Sequence, residues 1–224
     1  MSGAAHASRG SRSIWSVSPT PARFRPMDPT EGQEQAGALL ANIPQRANAL
    51  GSATAPVALQ YFADLQCPFC RDFTLEVLPS MIERWVRAGD LRIEYHALET
   101  ATREPEVFVA QQVAALAAGE QDRAWHFIET FYREQGEEGS GYVTDGFLQG
   151  IAGEVPDLDL SRWNRERTDP QLAGEIAADA RAAQSAGLTG TPSFLIGRSA
   201  GAMTTFAPTD TTSFDAAVEA LLKT

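Results

Sequence analysis

The sequence predicts an α/β fold, a central mixed sheet with flanking helices, interrupted by an inserted helical subdomain. Three observations lead there. A strand, a helix and a second strand follow one another between Pro56 and Leu98. The block from Glu104 to Gly187 then reads helical with no strand signal. A short apolar strand, a hairpin and an amphipathic helix close the chain after Gly190. The expected division is an arm at 1–28, the first part of the sheet domain at 29–103, the helical insertion at 104–187 and the second part of the sheet domain at 188–224. A chain of 224 residues is long enough for one such domain.

The arm holds Arg9, Arg12, Arg23 and Arg25, with no acid before Asp28, among Ser, Pro, Gly and Ala. It has no apolar period and reads as disordered. It also lacks the apolar core of a secretory leader. Met27, followed by Asp28-Pro29-Thr30-Glu31, is a second candidate start. The run Pro56-Val57-Ala58-Leu59-Gln60-Tyr61-Phe62-Ala63 suits a central strand buried on both faces. Cys70, Phe73, Val77, Met81, Ile82, Trp85 and Val86 then recur at helical spacing. Pro68 fits the first helical turn, Pro79 should kink the helix and Gly89 should end it. Residues Leu91 to Leu98 read as the second, parallel strand, completing a βαβ unit.

Inside the insertion, Phe108, Val109, Val113, Leu116 and Ala117 form one stripe, and Trp125, Ile128, Phe131 and Tyr132 another. Thr144 is the expected cap of a short helix, and Asp169-Pro170 opens a longer one that Gly187 closes. Gly190-Thr191-Pro192 then turns into the strand Ser193–Gly197, with Met203–Phe206 as its hairpin partner. Thr212 or Ser213 is the expected cap of the terminal helix.

Composition removes several function classes. A net charge of -11 repels phosphate backbones and argues against nucleic acid. No stretch approaches the roughly 20 consecutive apolar residues of a membrane span. With only two cysteines, Cys67 and Cys70, and three histidines not grouped with them, no closed zinc site is expected. A disulfide closing so short a loop contributes only about 2 kcal/mol, too little to explain the pair as a structural staple. Redox chemistry remains as its best use.

The nucleophile in disulfide exchange is a thiolate, so one cysteine must be ionised near neutrality. A helix N-terminus favours that charge through its free N–H groups and aligned dipoles. Cys67 stands just before the helix and should attack; Cys70, one turn in, should be the more buried sulfur and resolve. Pro68 and Phe69 between them bring no charge, so the thiolate is expected to lean mainly on backbone donors, with a pKa of roughly 4–7. Pro192 is expected to enter an edge strand from a tight turn, where the preceding bond can be cis and a cis bond is usually kept for a reason; the plainer reading is an ordinary turn proline. Its neighbour Thr191 has a backbone that an extended peptide could pair with.

At these residues the sequence resembles the thioredoxin-fold thiol:disulfide oxidoreductases of the DsbA type. The matching words are Leu50-Gly51, Ala55-Pro56-Val57, Phe62-Ala63-Asp64-Leu65-Gln66-Cys67-Pro68-Phe69-Cys70 and Gly190-Thr191-Pro192-Ser193-Phe194, and the likeness runs from about Asn42 to the C-terminus. The resemblance implies a thioredoxin-like fold with a helical insertion, and dithiol–disulfide exchange on protein or peptide thiols. Carried over, Cys67 is the nucleophile, Cys70 the resolving thiol and Pro192 the cis-proline, with Pro68, Phe69 and Thr191 facing substrate. A redox recycling partner is implied, and no cofactor beyond the redox-active pair. Where many members carry a buried acid, this chain has Tyr61, which leaves Asp64 as the candidate proton shuttle. Phe69 stands where strong oxidants often have histidine. The family is exported, whereas the chain as written shows no leader or anchor. The cytosol is the expected compartment unless such a segment lies outside it.

Several residues have plainer readings. Tyr61 and Phe62 are core residues, as are Trp85, Trp125 and Trp163, and His126 is a half-buried helix residue. Glu134, Glu137 and Glu138 form a solvated run. The rival function is a non-catalytic peptide-binding or chaperone-like module with a regulatory disulfide. Oxidase, reductase and isomerase directions stay open.

Overall fold

The computed structural model describes residues 29–208 and 210–223; the arm expected at 1–28 lies outside them. In chain order the elements are α1 (Pro29–Leu40), β1 (Gln45–Arg46), β2 (Ala49–Leu50), β3 (Val57–Ala63), α2 (Pro68–Asp72), α3 (Leu78–Met81), β4 (Leu91–Ala97), α4 (Pro105–Gly119), α5 (Ala124–Arg133), α6 (Asp145–Glu154), α7 (Leu160–Glu166), α8 (Pro170–Ser185), β5 (Ser193–Arg198), β6 (Thr204–Phe206) and α9 (Thr211–Leu222). One sheet of six strands has the order β1-β2-β4-β3-β5-β6. The β3–β4 pair is parallel and the β3–β5 pair antiparallel, so the sheet is mixed.

β3 lies between β4 and β5 and is buried on both faces apart from Gln60, as its apolar run predicts. Tyr61 lies in register with Tyr95 on one side and Phe194 on the other. β5 is not an edge strand: β6 covers Phe194 to Ile196. The unpaired backbone therefore lies ahead of β5, at the turn, rather than along the strand. All five helices of the 104–187 block fall between β4 and β5. Trp125, Ile128, Phe131, Tyr132 and Trp163 are fully buried, whereas Val109 is exposed at 36 %, off the stripe expected to hold it.

The helix after Cys67 answers Pro79 in an unexpected way. It does not break, but widens into π turns at Phe73–Val77 and Ile82–Val86 on either side of α3. Proline has no N–H to give residue 75, and the ladder slips by one: the Leu78 N–H reaches the Phe73 carbonyl. Gly89 and Gly187, at φ +82 and +70, close their helices in the left-handed region. Thr144 caps α6 through the Phe147 N–H. The terminal helix is capped by Asp210, not by Thr212 or Ser213: its carboxylate accepts from the Ser213 N–H at 2.8 Å. A carboxylate is the stronger acceptor at a helix N-terminus.

α1 and the β1–β2 hairpin were not expected. α1 packs on α5 through little more than Ala36 and Leu40, too few apolar positions to make a period. Strands of two residues carry no alternation.

Under α8 the sheet carries a charged cluster. His96 of β4 stacks on Phe62 and shares a 2.7 Å hydrogen bond between Nδ1 and Asp179 Oδ1. The other Asp179 oxygen accepts the Ala97 N–H at 2.9 Å. Glu94 lies 3.8 Å from Nε2 and is itself paired with Arg92. Burial alone would lower the His96 pKa, but Asp179 and Glu94 outweigh it and hold the ring at about 9. A pKa raised above its unfolded value contributes stability that is complete below the unfolded pKa of about 6.5 and lost as pH rises through about 9. The unfolding midpoint is therefore expected to fall between those limits, by a free energy on the order of 2–3 kcal/mol. Asp179→Asn should flatten the profile; an unchanged slope in that variant would remove the pair as its source.

Candidate active site

The site starts at the C-terminal end of β3. There the chain leaves the sheet through Asp64, Leu65 and Gln66, and a turn closes with the Cys67 N–H on the Asp64 carbonyl at 3.0 Å. Cys67 is the N-cap of α2, with extended dihedrals of -74° and 120°, and Pro68 occupies the first helical position. The Cys67 carbonyl takes the first helical bonds, from the Cys70 and Arg71 N–H groups. Both cysteines are free thiols, Cys67 buried to 3 % exposure and Cys70 to 0 %. Between them Phe69 stands out at 69 % exposure.

The two sulfurs differ sharply in acidity. Cys67 is held at about 6, first by the Cys70 thiol donating to its sulfur, against the opposing effect of burial, then by Thr191 and by the backbone N–H groups of Cys70 and Phe69. The expectation that backbone donors dominate is thus corrected: the resolving thiol contributes most. Burial pushes Cys70 up, and the neighbouring Cys67 pushes it further. A sulfur enclosed in the core has no water to stabilise its charge, whereas one at the helix mouth has donors in place.

The Thr191–Pro192 bond is cis, and it brings the turn against Cys67. The Cys67 thiol donates to the Thr191 carbonyl at 3.5 Å. The Thr191 hydroxyl also pairs with that of Thr100 at 2.5 Å. Beside Pro192 opens a groove of about 550 Å³ lined by Phe73, Val77, Phe194, Phe206 and Phe214. The groove was not expected from the sequence, where Phe194, Phe206 and Phe214 are spread over the last two strands and the last helix.

Asp64 is placed otherwise than expected. Its carboxylate is fully buried and accepts from six donors: the N–H groups of Gln66, Thr100, Ala101 and Thr102, the Thr102 hydroxyl and the Gln111 amide. Its backbone N–H lowers the Cys70 pKa, against the larger effect of burial. A carboxylate so fully engaged has no free lone pair with which to carry a proton. It anchors the loop after β4 instead. Around Cys70 the polar groups are neutral phenols and a threonine. The Tyr61 hydroxyl donates to the Cys70 carbonyl at 3.1 Å and pairs with Thr74 at 3.2 Å. Burial pushes Tyr61, Tyr95 and Tyr132 well above their ordinary pKa and keeps them protonated.

Sequence reasoning also missed a clamp from the helical block. At the tip of α5 the Tyr132 hydroxyl donates to the Asp64 carbonyl at 3.2 Å. The Gln135 amide donates to the carbonyls of Leu65 and Cys67 at 2.7 and 3.2 Å. Among the described residues no group of three or more His, Cys, Asp or Glu could hold a metal, and no helix is long and apolar enough to cross a membrane.

A dithiol at the mouth of a helix, set against a cis-prolyl turn on a mixed sheet, is the arrangement of the thioredoxin-like proteins. The chain belongs to the thioredoxin family, whose sequence model, described as Thioredoxin, matches residues 45–218. Over 148 residues it is 24% identical to the probable disulfide bond formation protein D of Bacillus anthracis, covering 66% of this chain and 68% of that one. Its fold matches the crystal structure of oxidised BdbD from Bacillus subtilis with a TM-score of 0.69 and 18% identity, over 81% of this chain and 98% of the other. It also matches alpha-DsbA1 of Wolbachia pipientis with a TM-score of 0.66 and 19% identity, over 82% and 92% of the two chains. The resemblance to the DsbA type stands.

Proposed function

We propose that this chain transfers its Cys67–Cys70 disulfide to protein or peptide thiols, with Cys67 as the attacked and departing sulfur. The observation that carries the reading is the unequal pair: Cys67 held at about 6 at the N-cap of α2, with Cys70 pushed up behind it. A substrate thiolate attacks the Cys67 sulfur of the oxidised form. The Cys67–Cys70 bond breaks, and Cys70 leaves with the electron pair and takes a proton. A second substrate thiolate then attacks the substrate's own sulfur in the mixed disulfide, and Cys67 departs as a thiolate. Two electrons pass from substrate to chain.

A low-pKa sulfur is the better leaving group, so the unequal pair favours giving the disulfide away. The protein in Bacillus anthracis that carries the name disulfide bond formation protein D agrees with that direction. Substrate would lie along the turn, pairing with the Thr191 N–H, which has no partner among the described residues, and packing on Pro68, Phe69 and the groove beside Pro192. The pair carries its own electrons, so exchange calls for no further cofactor, but it does call for a second redox protein to restore the disulfide. Such an oxidant acts where thiols are not kept reduced, which places its work outside the cytosol. A binding module with a regulatory disulfide has no use for a thiol held near neutrality, and that rival is not favoured.

The test is the oxidised chain mixed with a reduced two-cysteine peptide, with its potential read against glutathione. The peptide is expected to be oxidised mole for mole, at a potential between the roughly -270 mV of thioredoxin and the roughly -120 mV of the strongest oxidants of this kind. A peptide left reduced, or a potential below about -270 mV, would overturn the assignment as an oxidant.

A further inference from the structure

We propose that Gln135 is a positioning residue of the exchange reaction: its side-chain amide, by donating to the carbonyls of Leu65 and Cys67, holds the backbone of the nucleophile still while its sulfur changes partners, and so speeds the closure by Cys70. The inference rests on the exchange function set out above and assigns to it a residue of the helical block, outside both motifs.

The contacts that carry it converge on one nitrogen. Gln135 follows the end of α5 and is buried at 3 % exposure. Its Nε2 lies 2.7 Å from the Leu65 carbonyl and 3.2 Å from the Cys67 carbonyl. Carbonyls only accept, so the nitrogen and not the oxygen of the amide faces them, and both of its hydrogens are used. Among the described residues no other group donates to the Leu65 carbonyl. The amide is itself held in place. The Gln135 backbone N–H returns to the Tyr132 carbonyl at 3.4 Å, and Gly136 lies so close to the Tyr142 ring that a Cβ there would meet it at 2.7 Å.

The sulfur of Cys67 must serve substrate and Cys70 in turn. Cys70 is enclosed at 0 % exposure in α2 and cannot come out to meet it. Closure therefore waits on Cys67 being presented to it, and a disulfide tolerates Cβ atoms only about 3.5–4.5 Å apart. The Cys67 N–H on the Asp64 carbonyl fixes the residue from one side, and bonds from the Cys70 and Arg71 N–H groups fix its carbonyl to the helix. Those bonds stay within the loop and the helix themselves. Of the donors to the Cys67 carbonyl, Gln135 alone comes from a separate layer, so the helix mouth does not swing while Cys67 carries a substrate. In the closing step the Cys70 thiolate attacks the Cys67 sulfur, the Cys67–substrate bond breaks, and the substrate sulfur leaves with the electron pair. Gln135 touches none of these atoms and fixes only where they meet.

The experiment follows the reduced full chain after mixing with glutathione disulfide, by rapid acid quench and mass spectrometry. A Cys67–glutathione adduct forms with release of one glutathione, then closes to the Cys67–Cys70 disulfide with release of the second. Gln135→Met keeps the length and removes both donors. It is expected to lengthen the life of the adduct about tenfold, while formation of the adduct, which needs only a reachable sulfur, changes by less than about threefold. The glutathione equilibrium should move toward the dithiol, since closure is the step that is weakened. Gln135→Glu, similar in shape, turns lone pairs toward both carbonyls and should slow closure at neutral pH at least as much. Thr144→Ala removes the cap of α6 and no bond to the loop, so it should lower the unfolding midpoint and leave the adduct lifetime unchanged. Closure within about twofold of wild type in either Gln135 variant overturns the proposal. So does an equal lengthening in Thr144→Ala, which would make the effect one of stability alone. A wild-type chain that forms no adduct on Cys67 overturns the exchange function and the proposal with it; equally fast closure in all the chains overturns the proposal alone.

Discussion

Cys67→Ser is expected to lower the rate of disulfide transfer to a dithiol peptide by about a thousandfold or more. The serine hydroxyl is not ionised near neutrality and forms no disulfide, so both the attack and the store of oxidising equivalents are lost. Cys70→Ser should fail differently. Its hydroxyl still donates to the Cys67 sulfur, the largest of the effects that hold that thiol at about 6. The nucleophile therefore survives while the resolving sulfur is gone. Offered a peptide disulfide, the reduced Cys70→Ser chain is expected to accumulate a mixed disulfide on Cys67, readable by mass spectrometry. A trapped adduct on Cys70 in the Cys67→Ser chain, in comparable yield, would reverse the two assignments. The burial of Cys70 argues against that outcome.

Asp64→Ala should be the most destabilising change near the site that leaves both sulfurs in place. The carboxylate is fully buried, and its removal strands three N–H groups of the loop after β4, the Gln66 N–H, the Thr102 hydroxyl and the Gln111 amide. Each buried donor left without an acceptor costs about 1–3 kcal/mol, and relaxation recovers part of the sum. A net loss of about 3–5 kcal/mol is expected, measured by denaturant unfolding of the reduced chain. A proton shuttle would behave in the opposite way, slowing resolution of the mixed disulfide while leaving the unfolding midpoint where it was. The two measurements on one variant therefore separate an anchor from a shuttle.

What could be read from the sequence was local. β3 declares itself by a largely apolar run, β4 by alternation, and α8 by Asp169-Pro170 in front and Gly187 behind. The cysteines and Pro192 declare themselves by motif, and the structure brings them together although more than a hundred positions separate Cys67 from Thr191. The missing parts had their cause at a distance. The partners of Asp64 lie as far as Gln111, and nothing in Asp64-Leu65-Gln66 says that the carboxylate turns inward to meet them. Tyr61 read correctly as a core residue, yet its bond to the Cys70 carbonyl joins β3 to α2 and follows from no local spacing. Thr100 sits in a loop with no pattern at all. Its place follows from three N–H groups converging on one oxygen, which only folded coordinates reveal.

The grip of α5 on the loop before Cys67, through Tyr132 and Gln135, has a consequence beyond geometry. It makes the loop that delivers the nucleophile a shared possession of two layers, since the same helix sinks Trp125, Phe127, Ile128 and Phe131 into the main core. Loosening that helix and loosening the dithiol's approach are therefore one event, and the chemistry should fade together with the fold rather than before it.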